Sequence, residues 1–125
     1  MAKKLALYRC PVCHSLSELI DSGNHTFSCC GQPMQQLSVK SDAETDVYHL
    51  PVLTHRNGLL YVEVGSKPHP QSEEHHISCI FFVTKQTVRR SDIRKESPAT
   101  AVFTDKEHGD VYAYCNVHGL FKTSF

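Results

Sequence analysis

The chain of 125 residues has no tryptophan, no excess of either charge and no long hydrophobic run. Its 13 basic and 13 acidic side chains balance, which argues against nucleic acid or another polyanion as a partner of the whole protein. No apolar stretch approaches the roughly 20 residues that span a bilayer, and no signal-peptide core follows Lys3 and Lys4. We therefore expect a cytoplasmic protein with no membrane association.

Helical periodicity of useful length is also lacking, and short β-like runs occur instead. The Asn57-Gly58 pair is typical of a hairpin turn between two of them. The predicted strands are Leu50 to Leu53, Leu59 to Val64, Ile77 to Val83, Ala99 to Phe103 and Val111 to Tyr114. Short strands separated by turn signals predict a mainly β fold with an antiparallel sandwich.

One polar segment interrupts this pattern. Thr84 to Ser97 carries Lys85, Arg89, Arg90, Arg94 and Lys95 against two acidic residues. It is interpreted as a solvated hairpin or loop, and the alternative is a docking patch for an acidic partner.

The cysteines are concentrated near the start of the chain, where Cys10 and Cys13 form a C-x2-C pair and Cys29-Cys30 follow after fifteen intervening residues. In a reducing compartment such a set indicates metal thiolates, not disulfides. A unit this short cannot bury enough apolar surface to fold unaided, and a metal would supply the missing stability. Structural zinc is the alternative to iron, and the adjacent pair should distort the tetrahedron.

The other residues of this unit are not expected to bind metal. His14 and His25 are expected to face solvent, since four thiolates are available, and a turn is predicted at Asp21-Ser22-Gly23-Asn24. The polar stretch from 38 to 46 is interpreted as a linker.

A second candidate site lies near the other end, where Cys115 and His118 stand three residues apart before Gly119. Upstream imidazoles are available from His49, His69 and the adjacent pair His75-His76. In an extended chain the two members of that pair point to opposite faces, so only one can join a given site, and spacing does not decide which. Cys79, within a hydrophobic run, is interpreted as a buried thiol.

Four imidazoles and one thiolate are one ligand too many for a closed tetrahedral zinc site. They suit iron with one octahedral position open. The thiolate would donate electron density, and a small anion is the natural sixth ligand. This donor set predicts one-electron chemistry on a small oxygen species.

The sequence resembles desulfoferrodoxin, the two-iron form of superoxide reductase, over nearly the whole chain. The resemblance rests on six motifs: Tyr8-Arg-Cys-Pro-Val-Cys13, Cys29-Cys-Gly-Gln-Pro-Met34, His49-Leu-Pro-Val52, Val64-Gly-Ser-Lys-Pro-His-Pro70, His75-His-Ile77 and Tyr114-Cys-Asn-Val-His-Gly119. It implies a desulforedoxin-like iron domain at 1–37, a linker at 38–46 and a catalytic, neelaredoxin-like domain at 47–125 with an immunoglobulin-like antiparallel β-sandwich.

By the same resemblance, two iron ions are bound per chain. The tetrathiolate iron is held by Cys10, Cys13, Cys29 and Cys30. The catalytic iron has four equatorial imidazoles and an axial thiolate, from His49, His69, His75, His118 and Cys115. His75 is favoured over His76 because the family's ligand lies two residues before an Ile, here Ile77.

The implied activity is one-electron reduction of superoxide to hydrogen peroxide without release of dioxygen, in the oxidative-stress defence of anaerobes. The implied partners are superoxide as substrate, a rubredoxin-like electron donor and a second copy of the chain in a homodimer.

One departure from the family pattern concerns the residues before the first ligand histidine, where the family usually has Glu-Lys and this chain has Val47-Tyr48. Glu44 and Asp46 are near in sequence, but nothing in the sequence places them on the iron. Lys67 lies two residues before His69, so in an extended segment it projects to the same face and partly replaces the lost charge. Tyr48 is a possible hydrogen-bond partner of a bound water or peroxide. Lys67 and Tyr48 are therefore the candidate catalytic side chains.

Two other functions are compatible with the sequence. The first is an iron electron-transfer protein with little superoxide turnover, because the Glu-Lys pair is missing. The second is a zinc-ribbon interaction module with a passive β-domain. Colour separates them, because both iron sites absorb visible light and zinc does not.

Overall fold

The computed structural model describes residues 5–21, 27–40, 46–104 and 108–125. These residues form twelve β-strands and no helix, which confirms the mainly β class. No helix in the described part of the chain is long and apolar enough to cross a membrane. The predicted turn at Ser22–Asn24, the solvent-facing His25 and Glu44 lie outside the described residues.

The strands are β1 (Leu7–Arg9), β2 (Leu16–Glu18), β3 (Ser28–Cys29), β4 (Gln32–Pro33), β5 (Gln35–Gln36), β6 (Pro51–Arg56), β7 (Leu59–Val64), β8 (Ile77–Val83), β9 (Val88–Asp92), β10 (Thr100–Thr104), β11 (Asp110–Cys115) and β12 (Gly119–Ser124). The chain divides into two compact units, Lys4–Ser38 and Val39–Phe125.

The first unit is a small sheet of order β2-β1-β5 with a separate β3-β4 hairpin. Its hydrophobic core is small. Leu7 and Cys10 are buried, at 1% and 0% exposure, and the Tyr8 and Phe27 rings meet edge to face at 4.9 Å. So small a core cannot by itself hold a unit of this length together.

The second unit is a sandwich of two antiparallel sheets, with strand orders β10-β7-β6 and β12-β11-β8-β9. Alternate residues of its strands point into the space between the sheets, as strand geometry requires. The inward residues include Leu60, Val62 and Val64 of β7, Ile80 and Phe82 of β8, and Val111, Ala113 and Cys115 of β11. The inward row of β11 thus ends at Cys115.

The five expected hydrophobic strands are present, with ends shifted by a few residues. Asn57 and Gly58 both have positive φ, at 53° and 75°, as the predicted hairpin turn requires. Strands β9 and β12 of the sandwich were not predicted. Strand β9 is largely polar because it is an edge strand, and β12 begins directly after the Cys115–His118 turn.

The basic segment 84–97 forms the β8–β9 hairpin and the stretch after it. Arg89 lies over the Phe82 ring at 4.7 Å. Arg90 is paired with Asp92 at 2.8 Å, and Lys95 with Glu73 at 2.8 Å. Three of its five basic side chains are therefore engaged within the chain, which weakens the interpretation as an acidic docking patch.

The segment predicted as a linker is partly attached to the second unit. Val39 forms a parallel bridge with Leu120, and the Lys40 N–H donates to the Leu120 carbonyl at 3.0 Å. Residues 41–45 lie outside the described residues. Asp46, at the far end, contacts His49 as described below.

Two valine-to-alanine substitutions, one in the core and one on the surface, should differ in their effect on the free energy of unfolding. Val111→Ala removes two buried carbons from a residue that is 0% exposed, which should lower the free energy of unfolding by roughly 2–3 kcal/mol. Val102→Ala, at a residue that is 54% exposed, should change it by less than about 0.5 kcal/mol. Urea denaturation of the metal-loaded protein measures both, and equal effects would contradict the described packing.

Candidate metal centres

The first candidate centre collects the four cysteines of the N-terminal unit. One sulfur from each of Cys10, Cys13, Cys29 and Cys30 lies within 4.8 Å of all the others. The Cys10 sulfur also accepts the backbone N–H groups of Val12 and Cys13, both at 3.4 Å. This turn presents Cys10 and Cys13 to the same point.

Backbone conformation explains how two adjacent cysteines reach one site. Cys30 has φ of 55° and Gly31 has φ of 73°, so two successive residues are left-handed. The chain thereby reverses at Cys30, and its sulfur lies 3.9 Å from that of Cys29. Glycine at 31 adopts this conformation without steric cost.

The negative charges of the four thiolates would be stabilised by a cation between them. The Ser15 hydroxyl, 3.1 Å from the Cys13 sulfur, is the main cause that lowers the pKa of Cys13 to about 6. The hydrogen bond with Cys13 is the main cause that raises the pKa of Cys29 to about 12. Four thiolates at these separations repel one another unless a metal ion lies between them. The set fits a tetrahedral tetrathiolate ion.

The second candidate centre lies at one end of the sandwich, and strand register puts it there. In the three-stranded sheet Pro51 pairs with Val64, so the start of β6 lies beside the end of β7. In the four-stranded sheet Cys115 pairs with both Ile77 and Gly119, so the end of β11 lies between the starts of β8 and β12. The histidines immediately outside these strand ends are therefore brought together.

Four imidazole rings form a closed quadrilateral at this end. Successive ring centroids are 4.7, 4.7, 5.0 and 4.6 Å apart in the order His49, His69, His75, His118 and back to His49. The diagonal from His49 to His75 is longer, at 6.1 Å. The His49 ring also stacks on Phe121 at 4.6 Å, which fixes its plane.

Three of these rings aim an unpartnered nitrogen inward. The Nε2 atoms of His49, His69 and His75 are buried and have no hydrogen-bond partner. One ligand atom from each, together with the Cys115 sulfur, forms a group whose members are all within 4.8 Å of one another. Buried polar atoms without partners are costly, and a metal ion at their centre would satisfy all three.

Hydrogen bonds at the outer nitrogens fix which tautomer is present. His49 Nδ1 is 2.9 Å from an Asp46 carboxylate oxygen, and His69 Nδ1 is 2.6 Å from the Pro70 carbonyl. Both partners are acceptors, so Nδ1 carries the proton and Nε2 keeps its lone pair. Burial lowers the pKa of His69 to about 4 and also lowers the pKa of His75. Both rings are therefore neutral, as ligation requires, at neutral pH.

His118 lies next to this group, on the turn that also carries Cys115. The Cys115 sulfur is 0% exposed and accepts the His118 backbone N–H at 3.4 Å. His118 presents Nδ1, not Nε2, at 3.7 Å from that sulfur. Gly119 closes the turn with φ of 96°.

The structure separates the two adjacent histidines. His75 contributes its ring to the quadrilateral, whereas His76 Nδ1 donates to the Ser72 carbonyl at 2.8 Å. The His76 N–H donates to the Asn116 side chain at 2.8 Å, and Asn116 donates to the Glu74 carbonyl at 2.9 Å. Asn116 thus ties the turn before β8 to the turn after β11. The predicted burial of Cys79, at 4% exposure, and the exposure of His14 are confirmed.

Sequence reasoning missed Asp46, Gln71 and Asn116 as partners of this centre. Gln71 Oε1 accepts the Ile77 N–H at 2.7 Å and lies 3.2 Å from His69 Nδ1. Asp46 is the last residue of the predicted linker. The one available signal was an Asx turn, in which Asp46 accepts the N–H groups of residues two and three positions on.

The Val47-Tyr48 pair lies on the rim, with both side chains exposed, at 41% and 46%. A Cβ on Gly65 would meet the Val47 carbonyl at 2.6 Å, so glycine allows this close approach. Residues 65–68 form a turn, so the extended geometry assumed for Lys67 and His69 is wrong. The backbone of Lys67 nevertheless lies beside Val47, because the Lys67 N–H donates to the Val47 carbonyl at 2.9 Å.

The fold is the one found in superoxide reductases. The structure of the superoxide reductase from Treponema pallidum matches with a TM-score of 0.78 and 19% identity, over 98% of this chain and 99% of that one. The one-iron superoxide reductase from Giardia intestinalis matches with a TM-score of 0.53 and 18% identity, over 62% of this chain and 96% of the other.

Sequence comparison identifies the family. Residues 2–37 match the model of the desulfoferrodoxin N-terminal domain, and residues 38–124 match that of desulfoferrodoxin. A desulfoferrodoxin homolog of Archaeoglobus fulgidus is 34% identical over 98% of this chain and 99% of its own. A desulfoferrodoxin of Syntrophotalea carbinolica is 32% identical over 98% of each chain. The chain belongs to the desulfoferrodoxin family, and its two donor sets fit two iron ions.

The division into two units predicts that the two irons are lost independently. Cys13→Ser removes one of four thiolates, so the tetrathiolate absorption and one iron per chain should disappear while the second iron stays. Ser15→Ala is the control, since it keeps all four sulfurs and removes only the hydroxyl beside Cys13. Metal analysis with optical spectra measures this. Loss of both irons in Cys13→Ser would contradict independent sites.

Proposed function

We propose that this chain is a superoxide reductase that reduces superoxide by one electron to hydrogen peroxide, with no release of dioxygen. The proposed ligands of the catalytic iron are His49, His69, His75, His118 and Cys115. The observation that carries the proposal is the closed quadrilateral of imidazoles beside a buried thiol. Cys10, Cys13, Cys29 and Cys30 are proposed as the ligands of the second, tetrathiolate iron.

The donor set supports this chemistry over a closed zinc site. Iron bound here would supply one-electron redox chemistry with one coordination position open to a small anion. The protonated Nδ1 atoms of His49 and His69 keep both ring lone pairs aimed inward. The His118 N–H on the Cys115 sulfur stabilises that sulfur as a thiolate.

The rim residues support a site that stays open. Val47 has no ligand atom, so its side chain cannot occupy the sixth position in the way the family's glutamate would. Its carbonyl accepts the Lys67 N–H and the Ser66 hydroxyl, at 2.9 and 3.3 Å. Val47 is thus held by the turn at 65–68, and the oxidised iron should bind water or an added anion such as azide readily.

Lys67 and Tyr48 are proposed as the side chains that attract superoxide and hydrogen-bond the bound species. The backbone of Lys67 adjoins Val47, and the Tyr48 ring is on the exposed rim. A lysine about 6 Å from an incoming anion in water is worth only roughly 0.7 kcal/mol, about threefold in rate. Loss of the family's Lys is therefore compatible with turnover.

The proposal extends to the partners of the reaction. A rubredoxin-like donor would return the electron, and a homodimer in the cytoplasm of an anaerobe is the expected setting. These expectations rest on membership of the family, and the basic segment 84–97 adds little to them because three of its cations are engaged within the chain.

Two cysteines of the sandwich provide a matched test of the ligand assignment. Cys115→Ser should abolish the long-wavelength thiolate-to-iron band and most activity, because a hydroxyl is a poor anionic ligand near neutral pH. Cys79→Ser makes the same change at another buried cysteine and should leave both iron spectra in place. Optical spectra of the oxidised proteins decide, and an unchanged band in Cys115→Ser would mean that the thiolate is wrongly assigned.

The activity is tested by pulse radiolysis of the reduced, fully metallated protein with superoxide. We expect a rate constant within about tenfold of the diffusional ceiling. Lys67→Ala should lower it about threefold, and Tyr48→Lys should raise it by a similar factor, since each changes one nearby positive charge. Both effects should shrink at high ionic strength.

Lys122→Ala is the control, because it removes an exposed positive charge from the middle of β12. A reduced, fully metallated protein that does not react measurably with superoxide would exclude the enzyme. It would leave the electron-transfer function, which the Val47-Tyr48 pair favours.

A further inference from the structure

One carboxylate outside the ligand set contacts the second centre in a specific way. Asp46 Oδ2 lies 2.9 Å from His49 Nδ1, and Oδ1 lies 3.0 Å from the same nitrogen. The side chains of Asp46 and His49 are 29% and 10% exposed. The pair is therefore largely shielded from water, where a charge-assisted hydrogen bond is stronger than at the surface.

The two oxygens of Asp46 have different surroundings. Oδ1 accepts the backbone N–H groups of Tyr48 and His49, at 2.9 and 3.0 Å, whereas Oδ2 contacts the imidazole ring. Three donors therefore converge on this carboxylate, namely the backbone N–H groups of Tyr48 and His49 and the His49 ring. An anion is thus held against the outer edge of the His49 ring.

We propose that Asp46 is a positioning residue for the catalytic iron, which sets the tautomer and orientation of His49 and makes its Nε2 a stronger donor. This inference rests on the proposed function, because it takes His49 as a ligand. A carboxylate hydrogen-bonded to a ligand imidazole raises the basicity of the ring. The added electron density, with the nearby negative charge, stabilises ferric over ferrous iron. Asp46 therefore lowers the reduction potential of the site.

The competing explanation is that Asp46 only caps the turn that leads to His49. Asparagine separates the two roles, since its Oδ1 accepts the same backbone N–H groups. In Asp46→Asn an amide NH2 takes the place of Oδ2, so the ring keeps only the Oδ1 contact at 3.0 Å, to a neutral acceptor, and the negative charge is gone. Asp46→Ala loses the ring contact and the turn together.

The experiment is a redox titration of the long-wavelength band in the full-length, iron-loaded protein, with a parallel competition between the protein and a chelator for Fe(II). Asp46→Asn should weaken Fe(II) binding at this site about 10- to 100-fold. Its potential should rise by about 59 mV for each tenfold loss of preference for the ferric ion. Asp46→Ala should shift the potential equally and also lower thermal stability.

The matched control is Asp92→Asn, which removes the same charge from edge strand β9, where Asp92 pairs with Arg90. It should leave potential and affinity at the wild-type values. A wild-type potential in Asp46→Asn, with a shift confined to Asp46→Ala, would overturn the proposal and leave the turn-capping role. An Asp46→Asn protein that keeps its tetrathiolate spectrum but holds no second iron would support it.

NMR of the wild-type protein tests the same hydrogen bond without a substitution, so the test does not depend on a variant that folds. With Zn²⁺ in place of iron, NMR of the wild-type protein should show a slowly exchanging, strongly downfield Nδ1 proton on His49. Its absence would overturn the proposal. None of these readouts involves superoxide, so an inactive enzyme would refute the proposed function and leave the role of Asp46 to be judged separately.

Discussion

The second centre depends on one constraint, which is that three buried Nε2 atoms without a hydrogen-bond partner and the sulfur of a buried cysteine converge on the same small volume. Strand register creates this convergence, because the antiparallel pairs Pro51–Val64 and Cys115–Ile77 bring strand ends of each sheet to one place. The Nδ1 atoms of His49 and His69 donate to the Asp46 carboxylate and the Pro70 carbonyl, which leaves Nε2 of each ring for a metal. The sandwich therefore supplies a site in which the imidazole rings are oriented by contacts with the protein itself.

The N-terminal unit shows the opposite relation between fold and metal. Its strands are two or three residues long, and its buried side chains are few. Left-handed residues at Cys30 and Gly31 aim the adjacent sulfurs at one point, but the shifted pKa values of Cys13 and Cys29 show thiols that compete for protons. A bound ion removes that competition and ties the two cysteine pairs together. A metal would therefore add to the stability of the first unit, whereas the sandwich has a hydrophobic core of its own.

The sequence was most informative where chemistry and periodicity coincide. A strand such as Ile77–Val83 is predictable because it is a continuous run of β-forming residues. The choice of His75 over His76 came from the family resemblance. Strand β9 was missed because Arg89 and Arg90 occupy an edge strand, whose stability comes from pairing with β8 and not from its own composition. Asp46 was missed because an Asx turn depends on conformation over three residues, which a polar stretch does not reveal. The extended geometry assumed between Lys67 and His69 was wrong because residues 65–68 form a turn.

The charges around His49 act on the site from two different surroundings. Val47 and Tyr48 remove one ligand carboxylate and one positive charge from the rim, while Asp46 holds a negative charge against the outer edge of the His49 ring. A charge at the rim acts on an approaching anion through water, where it is screened and weak. A charge behind a ligand acts through a short hydrogen bond in a partly buried place, where it is stronger. Under the proposed function, the charge on Asp46 would therefore act on the metal more strongly than a single charge on the rim acts on an approaching anion.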